Sequence, residues 1–196
     1  MQNIDGLEHQ SLIDPKKIIN VHGTLSKVSC ENCGTEHDND EFCAHVETNI
    51  KNIYGDLAAP GPVNSTNILC NKCHKPAVKP KTVLFGRNLP SEYFASIEAD
   101  FTANDCDLII AIGTSLQVFP VANICQMGPK DVPRLVINNE VVGANLGLDF
   151  DQRDAICLGS CDEVCCEIIK LLGWEEDLLE RAGAMCSSSQ NTISKL

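Results

Sequence analysis

The sequence predicts an α/β protein in which a doubly wound parallel sheet accompanies a small cysteine-rich module. In the second half of the chain, short apolar runs that end in polar loops alternate with amphipathic segments, as in a parallel sheet covered by helices. In the first half, the pairs Cys30/Cys33 and Cys70/Cys73 have the spacing of zinc ligands. The chain has 196 residues, of which 43% are hydrophobic, so it is long enough to bury a core.

Residues 1–29 carry a compact polar motif and a histidine. Gln2, Asn3 and Asp5 stand near the start, and His22 lies before a glycine. Amides, a carboxylate and an imidazole can orient a sugar or an amide and remove a hydroxyl proton. Histidine suits the proton step because its ordinary pKa is about 6.5. A purely structural histidine is the alternative, and the apolar run 18–21 predicts a strand that leads to His22.

Residues 30–82 are predicted to form a zinc-binding module. A Cys-x2-Cys turn directs two thiolates at one ion, and a second turn completes a tetrahedral site. Four protein ligands leave no open coordination position, so the predicted zinc is structural. A redox pair or unpaired buried thiols are the alternatives. The two pairs are separated by 36 residues, and the excess around residues 54–62 has the composition of an inserted loop.

Residues 83–174 are predicted to contain the sheet. Apolar runs predict strands over 83–85, 107–112, 134–137 and 155–158. The run 107–112 is continuous, which is typical of a strand buried on both faces of a parallel sheet.

Helices are predicted to begin at Ser91 and at Ser160. Ser160 and Glu163 have the spacing of a capping box, and Gly173 is placed to end the second helix. A short acidic helix and a disordered Ser-rich tail are predicted over residues 175–196. The inward faces are predicted to consist of Phe94, Ile97 and Phe101 in the first helix, and of Val164, Ile168 and Leu171 or Leu172 in the second.

Small polar residues follow three of the predicted strands, where open parallel sheets bind ligands. They predict a nucleotide-sized ligand along one sheet edge, with ordinary short turns as the alternative. The cysteines of the last strand and helix are predicted to be small buried hydrophobes. Cys161 is the exception, because it lies at the start of the helix, where a ligand would pass. The loops are Gly113-Thr114-Ser115, Asn138-Asn139-Glu140 and Gly159-Ser160, and the cysteines are Cys157, Cys161, Cys165 and Cys166.

The net charge of −12 is concentrated in the second half of the chain, because residues 1–90 carry −1 and residues 91–196 carry −11. Such a surface repels nucleic acid and could favour basic peptides, although a solvated acidic face is an equal alternative. No apolar run approaches the roughly 18 residues of a membrane helix. The polar start predicts no signal peptide, and the 12 cysteines then indicate a reducing compartment.

Taken together, the motifs resemble the sirtuins, a family of NAD-dependent protein deacylases. They follow the family's order from residue 1 to about residue 172, and Glu8 with the enlarged zinc module resembles the nuclear and cytosolic eukaryotic branch. Besides the four cysteines, the motifs are Gln2-Asn3-Ile4-Asp5-Gly6-Leu7, Val21-His22-Gly23-Thr24, Val83-Leu84-Phe85-Gly86-x-x-Leu89-Pro90, Gly113-Thr114-Ser115-Leu116-x-Val118-x-Pro120-x-Ala122, Ile137-Asn138-x-Glu140 and Gly159-x-Cys161-Asp162.

The resemblance implies a Rossmann-like NAD-binding domain over 83–174 with the zinc module inserted after residue 29. It also implies protein-lysine deacetylation, in which the acyl group passes to ADP-ribose and nicotinamide is released. His22 would be the general base, with Asn3 and Asp5 in the nicotinamide pocket and Gln2 on the adjacent ribose. The implied contacts to the rest of NAD are Gly113, Thr114 and Ser115 to the phosphates and ribose, Asn138 and Glu140 to the adenosine ribose, and Cys161 to the adenine.

The resemblance further implies a substrate peptide bound as an added strand. The implied partners are proteins that carry acylated lysine, histones among them, without direct nucleic-acid or membrane binding, in the nucleus or the cytoplasm. The implied peptide contacts are Val83, Leu84, Phe85 and Gly86 on one side, and Leu116 to Phe119, which include Val118 and Phe119, on the other.

Two departures from the family pattern matter. Arg87 stands where the family has Glu, which reverses a charge beside the peptide groove. The family's Gly-rich phosphate turn and the loop after it have no counterpart, so we expect an incomplete sheet with exposed apolar surface and a pyrophosphate without backbone donors. A catalytically inactive zinc-stabilised binding module and a mono-ADP-ribosyltransferase therefore stay open as alternatives.

Overall fold

A computed structural model of the chain describes residues 1–11, 13–54, 61–102, 106–150, 152–182, 190 and 193. The chain divides into two compact units, and each is described by itself. The first unit contains residues 1–9 and 13–89, and the second contains residues 10–12 and 90–196. The predicted boundaries at residues 29, 82 and 174 stay a prediction. No helix in the described ranges is long and apolar enough to cross a membrane.

The first unit is built on a three-stranded antiparallel sheet in the order β2–β1–β3. In this sheet Val28 lies opposite His37 on one side and Pro80 on the other. Its elements are the 3₁₀ helix Leu7–Gln10, of which residues 7–9 belong to this unit, the 3₁₀ helix Pro15–Lys17, the strands β1 (Gly23–Cys30), β2 (Glu36–His37) and β3 (Val78–Thr82), and the helix α1 (Asn39–Asn49).

Two predicted strands of this unit are wrong. Residues 18–21 are not in a strand, because the chain turns at Asn20 and the first strand starts at Gly23. Residues 83–85 follow β3 and enter a turn in which the Arg87 N–H donates to the Leu84 carbonyl at 3.1 Å. The strand is instead the lysine-rich segment Val78–Thr82, at an edge of the described sheet where polar side chains are tolerated.

The second unit contains a parallel sheet in the order β4–β5–β6, which confirms the predicted α/β class. The predicted strands at 134–137 and 155–158 are confirmed, and the strand predicted at 107–112 is shorter. Its elements are α2 (Ser91–Thr102), β4 (Ile109–Ile112), the 3₁₀ helix Val121–Gln126, β5 (Arg134–Asn138), the 3₁₀ helix Ala144–Leu146, β6 (Ala155–Leu158), α3 (Cys161–Leu172) and α4 (Glu175–Ala182).

The core of the second unit lies against one face of this sheet. Ala111 and Ile156 pack against it from β4 and β6. On β4, however, Ile110 and Ile112 are each 49% exposed, so the prediction that this strand is buried on both faces is wrong. The buried core residues are Leu116, Ala122, Cys125, Val136, Val142 and Leu146.

The predicted starts of α2 and α3 and the predicted short acidic helix, α4, are confirmed. Parts of the predicted inward faces of α2 and α3 are wrong. In α2 the buried side chain is Tyr93, whereas Phe94 is exposed. In α3 Cys166 is buried, and Leu171 and Leu172 are exposed because they lie about 140° and 120° around the helix from it.

The ends of α3 agree with the prediction only in part. Gly173 ends the helix with a φ of 70°, as predicted. Ser160 occupies the N-cap position, but its side chain makes no capping hydrogen bond, so the predicted capping box is not formed. Most of the predicted Ser-rich tail and of the inserted loop, including residues 55–60, lies outside the described residues.

A buried ion pair joins the amino ends of β5 and β6. Arg134 Nε donates to Asp154 Oδ1 at 2.8 Å, and Nη2 donates to Oδ2. The remaining guanidinium bonds reach the carbonyls of Cys125 at 3.0 Å and Gly147 at 2.8 Å. This hydrogen bonding holds the pKa of Asp154 far below its usual value.

We expect Asp154→Ala to lower the free energy of unfolding of the second unit by about 3–5 kcal/mol, because it strands the buried Arg134 guanidinium. Asp131→Ala, at an exposed position of the same unit, is the control and is expected to change it by less than about 0.5 kcal/mol. Urea unfolding of each variant measures the difference. Equal stability of the two variants would show that the pair adds nothing.

The contribution of Asp154 is also expected to depend on pH. Because the folded pKa is depressed, the stabilisation is complete above the unfolded pKa of about 3.9 and is lost as the pH falls through the folded value. The stability difference between the wild type and Asp154→Ala should therefore be constant near neutral pH and shrink in acid.

Candidate functional site

His22 is held by hydrogen bonds on both its backbone and its ring. The Gly23 N–H donates to the Asn20 carbonyl at 2.9 Å and closes a turn, and the Val83 N–H donates to the His22 carbonyl at 2.9 Å. The ring Nδ1 lies 3.1 Å from the carbonyl oxygen of Gln2. Because a carbonyl oxygen can only accept, this contact requires a proton on Nδ1 and leaves the Nε2 lone pair free to take one.

Gly23 is required by the close approach of β3. A Cβ atom at this position would lie 1.9 Å from the carbonyl oxygen of Lys81, and the φ of Gly23 is +75°. Both the backbone conformation and the contact exclude a side chain. The glycine after the histidine therefore fixes where the histidine stands relative to β3.

The polar motif at the start of the chain lies beside this turn. The Leu25 N–H of β1 donates to the Ile4 carbonyl at 2.8 Å, which joins the segment to the strand that follows His22. Asn3 and Asp5 are exposed, and Asp5 Oδ1 accepts from the Leu7 N–H at 3.2 Å. The structure thus brings the backbone of the motif to His22 and leaves the side chains of Asn3 and Asp5 accessible.

We expect Gly23→Ala to lower the stability of the first unit by about 2–4 kcal/mol, since the methyl group meets backbone at a strained φ. Gly86→Ala is the matched control, because Gly86 has a φ of +82° with nothing within 4 Å of an added Cβ. It is expected to cost only about 1–2 kcal/mol. Denaturant unfolding of both variants measures this, and equal losses would contradict the role of the Lys81 contact.

The four predicted zinc ligands come together in the first unit. The Sγ atoms of Cys30, Cys33, Cys70 and Cys73 all lie within 4.8 Å of one another. The pairs Cys30/Cys73 and Cys33/Cys70 are 3.6 Å apart. A tetrahedral site with Zn–S bonds of about 2.3 Å has S–S edges of about 3.8 Å, so the thiols fit a zinc ion and are too far apart for disulfides.

The two cysteine turns have the same backbone geometry. The Gly34 N–H donates to the Cys30 carbonyl at 2.8 Å, and the His74 N–H donates to the Cys70 carbonyl at 2.9 Å. Gly34 and His74 both have positive φ, 70° and 57°. Two halves of one metal site require this repeated geometry. In the sequence, the signal for it is Gly34, the glycine directly after the first cysteine pair.

Hydrogen bonds favour the ionised form of two of the thiols. The Thr35 hydroxyl, 3.2 Å from Cys33 Sγ, lowers the pKa of Cys33 to about 6. Backbone N–H donation from Lys75 lowers the pKa of Cys73, whereas burial raises that of Cys30. The Lys72 N–H also donates to Cys70 Sγ at 3.4 Å. Donors aimed at sulfur suit thiolates bound to a cation.

We expect the chain to bind one zinc ion, and Cys70→Ser to abolish stoichiometric binding. Loss of the ion should lower the melting temperature of the first unit by about 10 °C or more, because zinc binding is coupled to folding. Cys43→Ser, at an exposed cysteine outside the cluster, is the control. Metal analysis and thermal unfolding measure both effects. Zinc retained by Cys70→Ser at full stoichiometry would contradict the site.

In the second unit the predicted nucleotide contacts lie at the carboxyl ends of the strands. The Gly113 N–H donates to the Ile137 carbonyl at 2.9 Å, and the Gly159 N–H donates to the Asn138 carbonyl at 3.0 Å. A Cβ atom at Gly113, whose φ is +59°, would lie 3.5 Å from Cys161 Sγ. The residues after β4 and β6 are therefore both bonded to the end of β5, and the start of α3 lies beside Gly113.

The polar side chains at this edge are exposed or half-buried. Ser115 and Glu140 are exposed, and Thr114 Oγ1 accepts from the Leu116 N–H at 3.2 Å. Asn138 Nδ2 donates to the Glu140 carbonyl at 3.0 Å. Hydroxyls, an amide and a carboxylate around an exposed glycine suit the sugar and phosphate groups of a dinucleotide, so this edge fits the cofactor that the resemblance implies.

The prediction that Cys157, Cys165 and Cys166 are buried hydrophobes, with Cys161 as the exception, is only partly confirmed. Cys166 is buried, whereas Cys157, Cys161 and Cys165 are half-buried. Burial raises the pKa of both Cys165 and Cys166.

Most of the predicted peptide contacts are exposed, but Leu116 is buried in the core of the second unit, so that contact is wrong. Phe85 is 98% exposed and Leu84 is 58% exposed in the first unit, and Phe119 is 53% exposed in the second. Val83 is half-buried, and Gly86 and Val118 are exposed. Arg87 is exposed and lies 4.0 Å from a carboxylate oxygen of Glu31.

Comparison with known proteins identifies the family of the chain. Residues 1–120 match the Sir2 family model. This match covers more than half of the chain. The chain belongs to the Sir2 family.

Several relatives of this Sir2-family chain carry a named activity. It is 35% identical, over 91% of its length, to the NAD-dependent protein deacetylase sirtuin-2 of Danio rerio and to the NAD-dependent deacetylase sir2C of Dictyostelium discoideum. It is 32% identical, over 89% of its length, to the NAD-dependent protein deacetylase HST1 of Saccharomyces cerevisiae. It spans 38% of sir2C, 46% of sirtuin-2 and 36% of HST1, less than half of each.

Proposed function

We propose that the protein to which this chain belongs is an NAD-dependent protein-lysine deacetylase. The observation that carries the proposal is the imidazole of His22, whose Nδ1 faces the Gln2 carbonyl at 3.1 Å so that Nε2 can accept a proton. The exposed amide and carboxylate of Asn3 and Asp5 in the adjoining segment support it. Its membership of the Sir2 family and its deacetylase relatives support it as well.

NAD supplies a ribose carbon that nicotinamide leaves and to which the acyl oxygen of the substrate lysine attaches. Asn3 and Asp5 bind the nicotinamide end, and Gln2 contacts the neighbouring ribose. His22 Nε2 would take the proton from a hydroxyl of that ribose, and the bound NAD would supply that hydroxyl as the acceptor of the acyl group. One water is consumed overall, and the products are nicotinamide, lysine and O-acylated ADP-ribose.

We assign the rest of NAD to the carboxyl edge of the parallel sheet. Gly113, Thr114 and Ser115 bind the phosphates and ribose, with the exposed Ser115 hydroxyl and the half-buried Thr114 hydroxyl as the polar groups beside the exposed Gly113. Asn138 and Glu140 bind the adenosine ribose, and Cys161 packs on the adenine. Zinc takes no part in the chemistry, because the four cysteines fill its coordination sphere.

We assign substrate binding to the exposed apolar residues named above. The substrates are acylated lysines of proteins, histones among them, bound without direct contact to nucleic acid, in the nucleus or the cytoplasm. Main-chain pairing gives affinity for varied sequences, and Leu84, Phe85, Val118 and Phe119 add apolar contacts. Arg87 makes the surface beside Phe85 more positive and disfavours basic residues in the peptide.

The test is release of nicotinamide from NAD with and without an acetyl-lysine peptide. We expect peptide-dependent release that falls by about 100-fold or more in His22→Ala, since general-base catalysis contributes about 10²–10⁴-fold. His45→Ala, at an exposed histidine of α1, is the matched control and should keep full activity.

Other outcomes separate the alternatives. Zinc-loaded protein that releases no nicotinamide would overturn the deacetylase proposal and favour a binding module. Release that labels the protein with ADP-ribose and leaves the acetyl-lysine intact would favour mono-ADP-ribosyl transfer. Release that needs no peptide and survives His22→Ala would remove His22 from the mechanism.

A further inference from the structure

A buried carboxylate is hydrogen-bonded to the turn that carries His22. Glu8 is 6% exposed, and its Oε1 accepts from Asn20 Nδ2 at 2.6 Å. A buried carboxylate is costly unless hydrogen bonds compensate it. Exposed glutamates elsewhere in the unit, such as Glu47, have no such constraint. The burial of Glu8 therefore points to a specific role at this turn.

Asn20 is the first residue of that turn. Its carbonyl accepts from the Gly23 N–H at 2.9 Å, so a shift of Asn20 displaces the loop on which the imidazole stands. The far end of the turn is fixed by β3, through the Val83 N–H bond to the His22 carbonyl and the contact of Gly23 with Lys81. At the near end the Val21 N–H donates to the Met1 carbonyl at 3.1 Å, and Glu8 adds the side-chain bond to Asn20.

The same bond ties the turn to the polar motif. Glu8 follows Gln2 by six residues, and the Gln2 carbonyl is the group that faces His22 Nδ1. The imidazole keeps this contact only if the turn and the first segment hold a fixed distance. A hydrogen bond of 2.6 Å, donated by Asn20 Nδ2 to Glu8 Oε1, joins these two pieces directly.

We propose that Glu8 is a positioning residue for the His22 base. Through Asn20 it holds the turn so that Nδ1 carries the proton towards Gln2 and Nε2 remains the acceptor. The catalytic consequence rests on the proposed deacetylase function, whereas the effect on the tautomer of His22 does not. The two are therefore measured separately.

The first measurement is nitrogen NMR of the His22 side chain at about pH 9, above the ordinary titration range of histidine. In the wild type we expect the tautomer with hydrogen on Nδ1. In Glu8→Ala we expect a mixture of the two tautomers, because the turn loses its side-chain anchor at Asn20. Glu8→Gln keeps an acceptor oxygen for Asn20 and should retain the wild-type signals, as should the control Glu47→Ala.

Asn20→Ala removes the donor without truncating Glu8 and should also give a mixture. If Glu8→Ala does not fold, the tautomers of His22 in Asn20→Ala and in Glu8→Gln are compared instead. A single wild-type tautomer in folded Glu8→Ala or in folded Asn20→Ala would overturn the proposal.

The second measurement separates catalysis from nicotinamide exchange. We expect Glu8→Ala to lower kcat for deacetylation about 10–100-fold with little change in the KM of the peptide, since a displacement of about 1 Å can cost 10²-fold. Incorporation of labelled nicotinamide into NAD should persist, because His22 acts after nicotinamide has left. Glu8→Gln should restore most of kcat.

A merely structural role gives a different result. Deacetylation and exchange would then fall together with zinc content and melting temperature, which would overturn the positioning role. If the wild type itself shows neither reaction, the proposed function fails, and the tautomer measurement still decides the role of Glu8.

Discussion

The pairing of β1 with β3 is the constraint on which the first unit depends. It brings the Lys81 carbonyl to where only Gly23 fits, and it supplies the Val83 N–H that fixes the His22 carbonyl. Cys30 ends β1, and the second cysteine pair precedes β3, so a zinc ion would join the two strands at the end opposite Gly23. A structural metal therefore supports the histidine through backbone pairing.

The second unit separates the ion pair that stabilises it from the proposed ligand-binding edge, at opposite ends of the strands. Its buried ion pair, Arg134 with Asp154, lies at the amino ends of β5 and β6 and also holds the carbonyls of Cys125 and Gly147. The carboxyl ends carry exposed glycine, hydroxyl and amide groups. Because the ion pair holds the amino ends of the strands, the polar groups at the carboxyl ends can stay accessible while the sheet keeps its structure.

The sequence alone was sufficient for the features that side-chain chemistry determines. Cysteine spacing predicted the metal cluster, and continuous apolar runs predicted β5 and β6. It was insufficient where contacts between distant segments of the chain determine the structure. Lys81 leaves no room for a side chain at Gly23, Asn20 donates to Glu8, and Arg134 donates to Asp154. No local pattern in the sequence relates the members of these pairs.

The wrong strand at 83–85 shows why local pattern and function conflict at this point. Three consecutive apolar residues predict burial, yet Leu84 and Phe85 are exposed, while the lysine-rich β3 makes the pairing instead. Exposed aromatic and aliphatic side chains next to a turn do not stabilise the fold by burial, and they lower the solubility of the protein. Their presence is consistent with selection for contact with a ligand, which agrees with the proposed peptide site.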